Sequence, residues 1–181
     1  MLDEIVGVHP GRLPSKSAIA LWGLAGVGKS QLVSQFVKRQ QYRWSSRAIF
    51  WISGESEQSF NKSVISLLKD SDGVVGEASN GSAGAPEQRE LLIRGFFSEL
   101  GSSALAGALL IIDGLSGSLE RRLREYLGGL GGVSVIVTTR SRDLAFQFSR
   151  KMEIGGLDET DAVTFLRSSV DNGFRGSEEG E

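Results

Sequence analysis

The sequence predicts an α/β protein built on a doubly wound, mainly parallel five-stranded sheet. Short apolar runs, rich in aliphatic, β-branched or aromatic residues, alternate with longer segments in which apolar residues recur at helical spacing. Gly, Ser and Asp bound the apolar runs, as they do where buried strands end in turns. Alternating strands and helices of this kind pack as a sheet with helices on its faces.

Four strands are visible in the sequence, at residues 18–22, 48–53, 108–113 and 133–139. After the first strand, "SQLVSQFVKRQQ" places Leu32, Val33, Phe36 and Val37 on one face of a helix. Residues 58–70 and 88–100 repeat that spacing and predict two more helices. The sequence therefore supplies helices to cover a parallel sheet.

Two segments do not fit the alternation. Residues 71–86, "SDGVVGEASNGSAGAP", have little to bury and predict a mobile surface loop. Residues 171–181 are polar and acidic, which predicts a disordered tail or a linker towards missing domains. The expected organisation is one domain over residues 1–170 followed by that tail.

Composition excludes several classes of protein. A net charge of −2 over 181 residues gives no basic surface for nucleic acid, so we expect no nucleic-acid partner. The best apolar run, Ala104 to Ile112, is too short to span a bilayer, so no membrane partner is expected either. The chain has no cysteine, and its acidic start lacks the pattern of a signal peptide. We expect a cytoplasmic protein.

The segment after the first strand carries the strongest motif. Gly23 to Ser30, "GLAGVGKS", fits G-x-x-x-x-G-K-[ST], the phosphate-binding loop, between a predicted strand and a predicted helix. Backbone N–H groups of such a loop, together with the helix N-terminus, suit a di- or triphosphate. Lys29 is expected to reach the terminal phosphates and Ser30 to offer its hydroxyl to Mg²⁺. The predicted nucleotide-binding residues are Gly23, Gly26, Val27, Gly28, Lys29, Ser30, Gln31 and Leu32.

Two further residues lie where predicted strands end. Asp113 follows an apolar strand, in the form of a Walker B aspartate that holds Mg²⁺, and its alternative is a carboxylate that caps a turn. Arg140 follows "VIVTT" at the edge where open α/β sheets bind ligands, and its alternative is a solvated surface arginine. Lys29, Asp113 and Arg140 are the predicted catalytic residues, and Ser30 and Asp113 the predicted metal ligands.

These segments together resemble the nucleotide-binding domain of STAND-class P-loop ATPases, in particular the NB-ARC domains of fungal NOD-like receptors. The similarity lies in "ALWGLAGVGKSQLV", "AIFWISGESEQSF", "LLIIDG" and "VSVIVTTRSR", with "GLDETDAVTFLRSS" resembling the segment that closes the domain. The resemblance implies a P-loop fold that binds ATP or ADP with Mg²⁺, and a sensor role for Arg140. It further implies missing ARC-like and sensor domains in the same protein, and self-oligomerisation when activated, in innate immunity or non-self recognition.

Two positions depart from that family. Gly114 stands where a second acidic residue often follows the Walker B aspartate, and Val8 where an arginine is usual in the segment near adenine, Ile5 to Gly7. A general base is therefore not visible, and more distant acids such as Glu120 need a loop geometry that the sequence does not give. We expect slow Mg²⁺-dependent hydrolysis, below about 0.01 s⁻¹.

Function stays open among three classes at this point. The sequence favours an adenine-nucleotide switch, because a guanine-specific Asn-Lys-x-Asp motif is absent; Asn61-Lys62 is followed by Ser63 and Val64 on a predicted helix. Leu32 either packs against the base or faces the core from its helix. The alternatives to a switch are an actively hydrolysing ATPase of AAA+ type and a module that holds nucleotide without switching.

Overall fold

The computed structural model describes residues 17–40, 48–70 and 85–175. Five parallel strands form one sheet in the order β2-β3-β4-β1-β5. The strands are β1 (Ser17–Trp22), β2 (Ile49–Ser53), β3 (Leu109–Leu115), β4 (Ser134–Thr139) and β5 (Arg150–Glu153). The predicted α/β class and parallel five-stranded sheet are confirmed.

Six α-helices are assigned within the described ranges. They are α1 (Lys29–Arg39), α2 (Glu57–Asp70), α3 (Pro86–Leu100), α4 (Glu120–Leu127), α5 (Arg142–Phe146) and α6 (Glu159–Arg175). Short 3₁₀ turns at Ser103–Leu105 and Gly117–Leu119 flank β3. In the part of the chain that the structure describes, none of the helices has the length and apolar character needed to cross a bilayer.

The core has two layers, one on each face of the sheet. Alternate residues of a strand point to opposite faces, so Leu109 and Ile111 of β3 pack with Val33 and Phe36 of α1. The opposite face of β3 packs against the other helices, in a cluster that includes Leu110, Ile112, Phe60, Ile93, Phe97 and Leu123. Because both faces of the central strands are buried, the strands are continuous apolar runs rather than alternating ones.

The structure adds elements that the apolar pattern does not predict. Strand β5, "RKME", lies at the edge of the sheet and is mostly exposed, so it carries no apolar run. Helix α4 has five charged residues among eight, and only Leu123 of it is fully buried, with Tyr126 and Leu127 packed partly buried against the core. Both elements are short, and most of their residues are charged or exposed.

Two helices extend beyond the boundaries expected for the loop and for the tail. Pro86, expected in the loop, is the first residue of α3, where proline fits because that position has no helical partner for its N–H group. Helix α6 continues to Arg175, five residues past the expected boundary at 170. Residues 71–84 of the expected loop and 176–181 of the expected tail lie outside the described residues.

The strand order decides which loops meet. Strand β4 lies between β1 and β3 and pairs in parallel with both, Ile136 standing opposite Ile19 on one side and Ile111 on the other. The carboxyl ends of these strands therefore lie at one edge of the sheet, where open α/β folds bind ligands. The sequence motifs lie at this edge: the glycine loop follows β1, Asp113 lies near the end of β3, and Arg140 follows β4 directly.

Candidate functional site

The glycine loop joins β1 to α1 and is fixed at both ends. At its start, the Ile154 backbone N–H donates to the Trp22 carbonyl at 2.7 Å. A Cβ atom at Gly23 would lie 2.3 Å from the Ile154 carbonyl oxygen, so no other residue fits there without displacing backbone. At its end, Gly28 is the N-cap of α1, and its carbonyl accepts from the Leu32 backbone N–H at 2.8 Å. This strand, loop and helix, on an all-parallel sheet, have the architecture of a P-loop NTPase fold.

Lys29 is the first residue of α1, and its ammonium group folds back over the loop. Its Nζ donates to the Gly23 carbonyl at 2.9 Å and to the Leu24 carbonyl at 2.7 Å, and the residue is only 9% exposed. Burial, and then repulsion by the Arg140 guanidinium, lower the pKa of Lys29, while attraction by Asp113 opposes that lowering. A partly desolvated cation beside a second cation is stabilised by an anion bound between them.

Ser30, Asp113 and Thr138 form a hydrogen-bonded group across three elements. The Asp113 Oδ1 atom accepts from Ser30 Oγ at 2.7 Å and from Thr138 Oγ1 at 2.5 Å. Thr138 Oγ1 in turn accepts from the Gly114 backbone N–H at 2.8 Å. The buried threonine therefore fixes both the carboxylate and the turn that follows it.

The oxygen atoms in this group fit Mg²⁺. A hydroxyl and a carboxylate 2.7 Å apart are hard ligands of the kind that this ion binds, with phosphate oxygens and water completing its shell. No cluster of three or more His, Cys, Asp or Glu side chains is found among residues 17–40, 48–70 and 85–175.

Arg140 follows β4 directly and is held between two anchored neighbours. Thr139 Oγ1 donates to the Leu115 carbonyl at 2.8 Å and accepts from the Ser141 backbone N–H at 3.1 Å. Ser141 caps α5 by accepting from the Leu144 backbone N–H. The exposed Arg140 side chain borders a cavity of about 430 Å³, whose other lining residues are Glu55, residues 114–117, Ser141 and Leu144.

The structure brings the main sequence-predicted residues together. Lys29, Ser30, Asp113 and Arg140 all lie at the carboxyl edge of β1, β3 and β4, with Gly23, Gly26, Val27 and Gly28 in the loop beside them. Gln31 is exposed in the first turn of α1. Leu32 packs against the core cluster on its face of the sheet, which is the second of its two predicted roles. Residues 5–8 lie outside the described residues.

Two polar residues at this edge were not assigned from the sequence. Thr138 lies within "VSVIVTTRSR", but a threonine in a buried strand has no motif of its own. Glu55 lies two residues past the end of β2, while Asp113 lies inside β3 and pairs with Ser53, so no motif in the sequence marks Glu55. Glu120, the acid considered instead, pairs with Arg124 at 2.9 Å and lines a different cavity.

Comparison with known proteins gives similarity at the level of the fold. No protein-family model matches the sequence, and no curated protein sequence matches it. Among solved structures, Cdc6p from Pyrobaculum aerophilum is 11% identical over 84% of this chain and 48% of its own, with a TM-score of 0.49. C. elegans PCH-2 is 16% identical over 87% of this chain and 39% of its own, with a TM-score of 0.45. This chain spans less than half of either structure, and similarity this weak carries no argument about function.

Proposed function

We propose that this chain is an adenine-nucleotide-binding switch domain that takes ATP and ADP with Mg²⁺. The observation that supports it most is the meeting of the glycine loop, Lys29 and the Ser30–Asp113 hydrogen bond at one edge of a parallel sheet. A buried ammonium group, a helix N-terminus and a pair of oxygen ligands are the groups that recognise a polyphosphate with its metal.

Each group has a distinct role in this proposal. Backbone N–H groups of residues 23–28 bind the phosphate chain, and Lys29 exchanges its two loop carbonyls for the terminal phosphate oxygens. Ser30 and Asp113 hold Mg²⁺, which when bound neutralises charge on the phosphates. Arg140, which follows β4 and is near enough to Lys29 to lower its pKa, senses the terminal phosphate.

The switch part of the proposal rests on the resemblance to NB-ARC domains of NOD-like receptors. In that setting the domain works in the cytoplasm and controls oligomerisation in immune or non-self signalling. A switch needs a second element whose position depends on the phosphate, which here would be ARC-like and sensor domains. Helix α6 offers a surface for such a neighbour, since Val163, Phe165 and Leu166 are 41%, 60% and 61% exposed.

Replacing Asp113 with asparagine should weaken the effect of Mg²⁺ on ATP binding while leaving the fold intact. The amide oxygen can still accept hydrogen bonds from Ser30 and Thr138, but the negative charge that attracts the metal is lost. We expect the Mg²⁺-dependent gain in ATP affinity to fall about tenfold, with metal-free ATP affinity nearly unchanged. Titration calorimetry with and without Mg²⁺ measures both quantities.

Asp161→Asn is the matched control, because Asp161 is exposed in the first turn of α6 and lies in a different element. It should keep the full Mg²⁺ effect. If Asp113→Asn also kept the full effect, Asp113 would be a turn cap and the metal site proposed here would be wrong.

A further inference from the structure

The turn after β2 carries Glu55, whose side chain lies beside Gly114. Gly114 follows Asp113 and has no side chain, and a Cβ atom there would lie 2.9 Å from Glu55 Cγ and 3.5 Å from its Oε1. The Glu55 side chain therefore occupies the space beside Asp113 in which a side chain at position 114 would begin. Gly114 has a φ of 76°, which disfavours any larger residue and keeps that space open for Glu55.

Glu55 is carried by backbone that is held on both sides. Before it, the Gly54 N–H donates to the Asp113 carbonyl at 2.7 Å, and the Gly54 carbonyl accepts from the Ser116 N–H at 3.0 Å. After it, Ser56 accepts from the Ser59 N–H at 3.1 Å at the start of α2. The position of the Glu55 backbone is thus set by β3 and α2 together.

The Glu55 side chain itself is exposed and free to meet a ligand. Within the three described ranges, no hydrogen bond or ion pair holds its carboxylate. It lines the cavity of about 430 Å³ that Arg140 also lines, so a carboxyl group and a guanidinium group border the same space. Gly114, which belongs to that lining, is the residue directly after the proposed metal ligand Asp113.

We propose that Glu55 orients the water that attacks the terminal phosphate of ATP, an inference that rests on the nucleotide-binding function proposed above. Glu55 accepts a hydrogen bond from the water and aims its oxygen at the γ-phosphorus. As the water oxygen bonds to the γ-phosphorus, the bond between the γ-phosphorus and the oxygen that bridges it to the β-phosphorus breaks. ADP leaves with that electron pair, the water proton leaves with the released phosphate, and Arg140 balances the charge on the phosphoryl oxygens.

The other acids near this edge do not serve as well. Glu120 is engaged with Arg124 and lines the cavity on the far side of Leu115. Glu57 lies in the first turn of α2, two residues beyond Glu55, and does not line the cavity. Among the described residues, Glu55 is the acid that borders the same cavity as Arg140 and Gly114.

The test compares three variants of the chain, Glu55→Gln, Glu57→Gln and Glu120→Gln, with two readouts. The first is phosphate release under single-turnover conditions with ATP and Mg²⁺. The second is calorimetric binding of ADP and Mg²⁺ with and without aluminium fluoride, which mimics the phosphoryl group under attack by water. ATP and ADP affinities of all variants are measured alongside.

We expect the unaltered chain to release phosphate below about 0.01 s⁻¹, and Glu55→Gln to be slower by about 100-fold. Glu55→Gln should also lose most of the gain in ADP affinity that aluminium fluoride gives, with the affinity for ADP alone and for ATP unchanged within about twofold. The Glu57→Gln and Glu120→Gln variants should match the unaltered chain in both readouts.

Several outcomes would overturn the role of Glu55. If Glu55→Gln released phosphate within twofold of the rate of the unaltered chain, or if Glu120→Gln lost most of that rate instead, another group would orient the attacking water. Equal loss of ATP and ADP affinity in Glu55→Gln would make Glu55 a structural residue. A chain that binds ATP but neither hydrolyses it nor responds to aluminium fluoride would remove this role and leave nucleotide binding intact. A chain that binds no nucleotide would refute the proposed function itself.

Discussion

Replacing Lys29 with alanine should weaken ATP binding by about 1.5 to 3 kcal/mol, a loss of about 10- to 150-fold in affinity. The reason is that Lys29 carries the ammonium group that folds over the loop, only 9% exposed and partly desolvated before a phosphate arrives. Its two hydrogen bonds to the Gly23 and Leu24 carbonyls exchange for bonds to charged phosphate oxygens, which are stronger. Titration calorimetry on folded protein measures the change.

Lys38→Ala is the control for Lys29→Ala, since Lys38 is an exposed lysine in the last turn of the same helix. It should bind ATP as the unaltered chain does. Circular dichroism should show that both variants are folded, because alanine is a strong helix former. Unchanged ATP affinity in folded Lys29→Ala would contradict the phosphate role of Lys29.

Replacing Gly23 with alanine should destabilise the fold by about 2 to 4 kcal/mol. The added Cβ atom would lie 2.3 Å from the Ile154 carbonyl oxygen, and that segment is tied to β1 through the bond from the Ile154 N–H to the Trp22 carbonyl. Relief of the clash requires moving backbone at the end of β5, not a flexible side chain. Thermal melting of the nucleotide-free chain should show a drop of about 5 to 15 °C.

Gly26→Ala provides the comparison within the same loop. Gly26 has a φ of 76°, but a Cβ atom there meets nothing within 4 Å, so only the conformational cost of about 1 kcal/mol applies. Gly23→Ala should therefore melt well below Gly26→Ala. Equal melting temperatures would mean that the contact with Ile154 does not constrain the loop.

Residues in the interior were the easiest to predict from the sequence. The strands β1, β3 and β4 are buried on both faces. Strands of this kind appear in a sequence as short, continuous apolar runs. The loop from Gly23 to Ser30 was predictable for a different reason, since its spacing is imposed by phosphate chemistry. By contrast, the edge strand β5 is mostly exposed and the helix α4 is mostly charged, so neither contains a long apolar run.

Predicting the site from the sequence failed where distant segments meet. Asp113 was identified because it ends an apolar strand, but its partner Thr138 lies 25 residues away, and only the insertion of β4 between β1 and β3 joins them. Glu55 is further separated in sequence from Gly114, and its place depends on the pairing of Ser53 with Asp113. The residue directly after Asp113 is Gly114, and the carboxylate of Glu55 is brought beside it by the pairing of β2 with β3.

The most direct test of the central claim is titration calorimetry of the unaltered chain with ATP, ADP, GDP and GTP, each with and without Mg²⁺. The account predicts saturable, one-site binding of ATP and ADP, a gain in ATP affinity when Mg²⁺ is present, and affinities for GTP and GDP at least about tenfold weaker. Binding of all four nucleotides with equal affinity would contradict the adenine preference. No heat of binding with any of them, on protein shown to be folded, would contradict the claim that this loop and its lysine form a nucleotide site.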